Sequence, residues 1–319
     1  MRELGKEYDF LKEYNIAGLV VAGSRAHGIA NTDSDLDIRG IVFNTKRDIL
    51  LGNMYKVYDD SNTDTVLFSH GKFLEMLKKS NMNMLELLGT SQDQWLETSW
   101  FMEKIIKNLD KILSKDCVNT FTGYANSQMR IIDKKMDSIT DEKHLNYLAN
   151  TLNKASKSFK EKYSSYKDID ISEKNDKLWV RANFDMPLKE VIALSSMLDS
   201  MIKQSEKSER SSTKLPLKVM AKAQANVIYS YMFLLDILRD NGLNTYRDSE
   251  EIKLLRSIRN QDFIKDSKPT KEFYDLLSDY KEIVESEKDN TKLREHPDCE
   301  LLDNILIETN ERIISETNK

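Results

Sequence analysis

Three carboxylates and one glycine-serine pair are the groups in this chain whose type and spacing could do chemistry. Gly23-Ser24-Arg25-Ala26-His27-Gly28 follows directly on the apolar run Ala17 to Ala22. A Gly-Ser turn after a buried strand leaves backbone amides exposed at the start of the next helix or turn, and such amides bind phosphate oxygens. After ten intervening residues, Arg25 to Ser34, comes Asp35-Leu36-Asp37. Two aspartates spaced by two in an extended segment point to one side. Held together they repel unless a divalent cation sits between them, and hard oxygen donors suit Mg²⁺, with Mn²⁺ as an alternative. Two-metal phosphoryl chemistry wants a further carboxylate on a neighbouring strand. Asp64 is the expected one, because it opens the apolar run Asp64 to His70, whereas Asp59 and Asp60 fall in a turn-like Tyr-Asp-Asp-Ser-Asn stretch. The same residues also fit a simple strand turn followed by a solvated acidic loop, since Asn31-Thr32-Asp33-Ser34 is itself turn chemistry.

These residues need strands to position them. Ala17 to Ala22, Leu36 to Phe43 and Asp64 to His70 read as strands, and Lys72 to Lys79 and Met82 to Leu88 read as helices. Eight of the ten glycines lie before residue 90, so the special backbone turns belong to this first part. Beyond about residue 100 the apolar period becomes helical. Val227, Tyr231, Leu234, Leu235 and Leu238 form one stripe, closed by Asn241-Gly242. Leu188, Val191, Ile192 and Leu198 form another, started by Asp185 and Pro187. Both stripes are expected to be bundle core. The polar segment Gln204 to Thr213 has nothing to bury and is expected to be a loop or linker.

A Gly-Ser turn, ten intervening residues and Asp-x-Asp resemble the DNA polymerase beta nucleotidyltransferase superfamily, and within it the YcgL/RlaP-type predicted nucleotidyltransferases. Lys72 to Gly89, Leu254 to Asn260 and Leu293 to Leu306 resemble further segments of that family, while residues 140 to 215 match nothing nameable. The resemblance implies an α/β N-terminal nucleotidyltransferase domain with a mixed sheet, residues 1–115, and a mainly α-helical domain, residues 116–319. It implies that Gly23 and Ser24 hold the β- and γ-phosphates of an NTP, that Asp35 and Asp37 bind both metals, and that Asp64 binds the catalytic ion. A nucleoside monophosphate would pass to an acceptor hydroxyl with pyrophosphate leaving. The favoured acceptor is an RNA end, tRNA-like or broken RNA. A protein or small-molecule acceptor, or a nucleotide-binding module without turnover, are the alternatives.

Other candidates are weaker. Arg25 follows the turn and is assigned to the nucleotide, with an exposed turn arginine as the plain alternative; His27 reads as a local hydrogen-bonding residue. Lys214, Lys218 and Lys222 recur every four residues, a solvated face or a triphosphate clamp, and Lys222 is the best candidate because Ala221, Ala223 and Ala225 surround it with little bulk. Arg256 and Arg259 stand in a family-like segment. His70, His144 and His296 show no metal spacing. Residues 153–167, with five lysines, one glutamate, Phe159, Tyr163 and Tyr166, have the mix suited to nucleic-acid contact.

Composition bounds the rest. With 39% hydrophobic residues, 13 Tyr and 11 Phe the 319-residue chain can fold, and 48 Lys and Arg against 53 Asp and Glu exclude a polycation that coats nucleic acid indiscriminately. Cys117 and Cys299 match no metal spacing and are expected as free thiols. With no apolar leader at residues 1–10 and no run of 18 apolar residues, a cytoplasmic protein without membrane contact is expected.

Overall fold

The structure, a computed structural model, describes residues 5–31, 34–52, 57–60, 62–136, 170–174, 177–181 and 217–316, with isolated positions between 187 and 196. Its contacts form two units: Met1–Arg130 with Leu217–Lys319, and Ile131–Pro216. The boundary expected at 115/116 rests on sequence pattern alone. In the second unit the strands β6 (Asp170–Lys174) and β7 (Lys177–Arg181), numbered in chain order, pair as an antiparallel hairpin. The residues 204–213 and 153–167, with Leu188 and Leu198 of the second stripe, lie outside the described residues; of the stripe's two described members Ile192 is exposed rather than core, which corrects that expectation.

The first unit carries a mixed five-stranded sheet, as expected. Its strands are β1 (Ile16–Val21), β2 (Ile38–Val42), β3 (Val57–Asp60), β4 (Thr65–Ser69) and β5 (Trp95–Thr98), in the order β3-β4-β2-β1-β5. Only β2 and β4 are parallel, with Ile38 opposite Thr65. The turn-like reading of Asp59 and Asp60 is corrected: both belong to β3, whose alternating exposure marks a half-solvated edge strand. Both faces of the sheet are covered, which explains why β1 reads as an unbroken apolar run. On one face Leu19, Val21, Ile38, Val42 and Leu67 pack under Tyr8 and Leu11. On the other, Val20, Ile41 and Phe68 join the main core.

That main core is built by helices. α1 (Gly23–Ala26) and α2 (Lys46–Leu51) are short; α3 (His70–Leu77), α4 (Met82–Leu88), α5 (Trp100–Ile106) and α6 (Leu109–Ile112) follow. α7 (Asp116–Met136), α8 (Leu217–Leu238), α9 (Ser249–Arg259), α10 (Lys271–Asn290) and α11 (Cys299–Glu316) complete the described helices, and β8 (Ile264–Lys265) pairs with β9 (Lys268–Pro269). α8 is buried almost all round from Ala223 to Leu235, because α7, α9 and α10 supply Phe121, Leu255, Ile258 and Phe273 around it. Past its end Asn241 donates to Asp236 O and Gly242 takes a left-handed φ of 84°, the stop expected from Asn-Gly. Cys117 is buried, which pushes its thiol up to about 12, and Cys299 is exposed; both are free. Among the described residues no helix is long and apolar enough to cross a membrane.

Candidate active site

The strand β1 ends at Val21, and Ala22 N–H donates to Asp37 O at 2.9 Å. This bond draws the acidic segment against the next residue. Gly23 has φ +60° and its Cα faces the Asp37 carboxylate so closely that a Cβ there would stand 2.0 Å from Oδ2. Glycine is therefore required twice, by the backbone and by the space. The chain turns at once into α1, and two residues past its end comes Gly28, where φ is +79° and a Cβ would meet Ile252 and Tyr246. The guanidinium of Arg25 does not line the cleft described below. It donates to Ser34 O at 2.9 Å and Asp35 O at 3.3 Å, so it braces the acidic segment from behind.

The parallel register of β2 and β4 sets the carboxylates. With Ile38 opposite Thr65, Asp37 and Asp64 stand side by side one residue before the paired strands. Asp64 holds φ at +47°, rare for a non-glycine residue. Its carbonyl accepts from Ile38 N at 3.2 Å and from Arg39 Nη1 at 2.7 Å, so two donors hold that conformation. Among the described residues the carboxylates of Asp35, Asp37 and Asp64 make no ion pair and no side-chain hydrogen bond. The phenol of Tyr8 is pushed up first by burial and further by Glu7, Asp64 and Asp37, which puts the last two within electrostatic reach of one hydroxyl.

Gly23, Ser24, Asp35, Asp37 and Asp64 line one cleft of about 1280 Å³. Lys218, Lys222 and Asn226 of α8 and Arg256 and Arg259 of α9 line it too. Lys222 is exposed on α8, while Ala221, Ala223 and Ala225 beside it are buried. Lys214 lies outside the described residues. Arg259 is half-buried, and burial lowers its pKa while Asp37 opposes that shift. The donor set is the hard-oxygen type that suits Mg²⁺ or Mn²⁺. Among the described residues, however, no three His, Cys, Asp or Glu side chains are gathered closely enough to ligate one ion. The three aspartates share a cleft without converging on a point.

Sequence reasoning missed part of the wall. Glu86, Asn83, Tyr124 and Asn226 line the cleft, and His27 lines it paired through Nε2 with Glu86. Two signals were available. Asn226 continues the four-residue spacing of Lys218 and Lys222, and Glu86 is the one charge in the helix MNMLELL. Asp59 and Asp60 are not on this wall; Asp60 instead accepts from Asn62 and Thr63.

The family model for RlaP, described as "RNA repair pathway DNA polymerase beta family", matches residues 5–152, a segment that holds the whole acidic constellation. The chain is also similar to the uncharacterized protein MJ0002 of Methanocaldococcus jannaschii, with 27% identity over 164 residues. That alignment spans 48% of this chain and 65% of the relative, just under two thirds of its length. Residues 5–152, just under half of the chain, are thus similar to a polymerase beta family.

Proposed function

We propose that the protein is a metal-dependent nucleotidyltransferase that moves a nucleoside monophosphate from an NTP to the hydroxyl of an RNA end. The observation that carries this reading is the shared cleft: the Gly23-Ser24 turn and Asp35, Asp37 and Asp64 face the same space as Lys218, Lys222, Arg256 and Arg259. In this reading the amides at Gly23 and Ser24 hold β- and γ-phosphate oxygens. The four cationic side chains neutralise the remaining charge of the triphosphate. Asp35, Asp37 and Asp64 are the residues that would hold the divalent cations, closing in from the cleft wall to do so; Mg²⁺ or Mn²⁺ bound there would supply charge neutralisation and a more acidic acceptor hydroxyl. The acceptor hydroxyl gives up its proton to solvent as its oxygen attacks the α-phosphorus, the bond from that phosphorus to the α–β bridging oxygen breaks, and pyrophosphate leaves with that electron pair. Rate enhancement comes from positioning and electrostatics, with no covalent protein intermediate.

Two points support an RNA acceptor. The matching family is described by an RNA repair pathway. The cleft, at about 1280 Å³, exceeds the roughly 300–1,000 Å³ of common small-molecule sites, which leaves room for an acceptor end beside the nucleotide. In this proposal residues 1–115 do the chemistry and the helical remainder supplies the opposing wall. A nucleotide-binding module without turnover is the second reading, favoured by the three aspartates that line the cleft without converging. Incubation with each labelled NTP, Mg²⁺ or Mn²⁺, and intact or broken tRNA decides. Label on the RNA that disappears in the Asp35→Ala, Asp37→Ala variant supports transfer. Nucleotide binding without labelled RNA, protein or released pyrophosphate supports the module.

A further inference from the structure

His27 and Glu86 form a pair on the cleft wall that the proposed transfer does not use. His27 lies one turn past Gly23, and its backbone N–H donates to Gly23 O at 3.1 Å. Its Nε2 meets Glu86 Oε1, its ring stacks on Tyr229 at 3.8 Å between centroids and 19° between planes, and its side chain is 12% exposed against 20% for Glu86. The region is fixed from several sides. Arg247 N donates to His27 O at 3.3 Å, Arg256 Nη2 to Gly28 O at 3.0 Å, and Thr245 Oγ1 to Glu86 O at 2.6 Å.

The puzzle is electrostatic. A cleft that must take a polyanion beside Gly23-Ser24 also carries the carboxylate of Glu86, a like charge that would weaken binding unless something covers it. Burial raises the phenols of Tyr124 and Tyr229, and Glu86 raises both further, so the carboxylate is felt by both rings, the one stacked on His27 included. Tyr124 and Tyr229 bring no positive charge. Arg247 lies beneath Tyr229, its Cζ 5.8 Å from the ring centroid, and it is committed to Asp236 and Glu251. Among the described residues His27 is thus the basic group in direct contact with Glu86.

Resting on the transferase reading, we propose that His27 is a nucleotide-positioning residue: its imidazole, locked by the Tyr229 stack, covers the Glu86 carboxylate and keeps that charge off the phosphates entering beside Gly23-Ser24. A cover and a mere structural bracket make opposite predictions for a second substitution. Removing the cover exposes the charge, and removing the charge as well makes the cover unnecessary.

The test is equilibrium binding of a fluorescent ATP or GTP analogue to the full chain, with thermal unfolding of each variant as the control for folding. His27→Ala is expected to weaken binding about tenfold. His27→Phe, which keeps a ring over Tyr229 but loses the nitrogen, is expected to behave as His27→Ala. Glu86→Gln alone is expected to bind at least as tightly as the parent. His27→Ala with Glu86→Gln is expected to recover to within about threefold of the parent. A double variant no better than His27→Ala, or a His27→Ala protein that binds as the parent does, overturns the cover. A parent protein that binds neither analogue overturns the transferase reading, and the cover with it.

Discussion

Replacing Gly23 by alanine separates what the turn does for stability from what it does for the site. At φ +60° an L-residue is disfavoured by about 1–2 kcal/mol. For a protein of this size that cost corresponds to a Tm lowered by about 2–8 °C. The second effect is larger. The new Cβ would stand 2.0 Å from Asp37 Oδ2, 2.8 Å from its Cγ and 3.2 Å from its Cβ, so the carboxylate has to retreat by roughly an ångström or more. Misplacing a positioned group by that distance costs about 100-fold in rate. Gly52→Ala is the control, because Gly52 also has a positive φ, +68°, but a Cβ there meets nothing within 4 Å. Pyrophosphate release and scanning calorimetry are measured on both variants. The expected outcome is a similar loss of Tm in the two and a loss of turnover in Gly23→Ala alone. A Gly23→Ala protein that turns over within threefold of the parent refutes the claim that Asp37 is held in place by the absent side chain.

Three further outcomes are expected. Asp37→Asn, with the charge removed and the size kept, should lower pyrophosphate release by about 100-fold or more while leaving the unfolding curve in place; chelation with EDTA should stop release in the parent and added Mg²⁺ or Mn²⁺ should restore it. Arg247 is buried between Asp236 and Glu251, and Arg247→Met should destabilise by about 3–5 kcal/mol in urea unfolding because two carboxylates lose their partner. His70 should make stability fall with acid: burial, opposed by its bonds to Asn310 and Val42, holds its pKa below the usual value. Its Nδ1 accepts from Asn44 N at 3.3 Å while Nε2 donates to Asn310 Oδ1 at 2.9 Å, which is the neutral ring. Since the unfolded chain takes up the proton first, the stabilising contribution is complete above about pH 6.5 and declines below it by up to about 1.4 kcal/mol per pH unit. Urea midpoints between pH 7.5 and 5 should show that slope, and His70→Gln, which can still donate to Asn310, should flatten it; equal slopes would exclude His70 as the source.

By itself the sequence determined the local parts. The run Ala17 to Ala22 overlaps β1, the runs Leu36 to Phe43 and Asp64 to His70 contain β2 and β4, and Met82 to Leu88 is α4 residue for residue, because burial and chain period are written into apolar spacing. It missed β3 and β5, short strands whose half-exposed residues leave no apolar run to read. It named Gly23, Ser24, Asp35 and Asp37 from one short motif. Tertiary structure decided what faces that motif. Asp64 joins the cleft through a parallel register across the sheet, Lys222 and Arg259 through the packing of α8 and α9, and Glu86 through α4. Arg25 points instead to Ser34 and Asp35. Spacing along a chain fixes which side chains share a strand or helix face, but neighbours more than 150 residues apart meet only when cores and strand pairs bring their elements together, and one sequence read alone carries no measure of that distance.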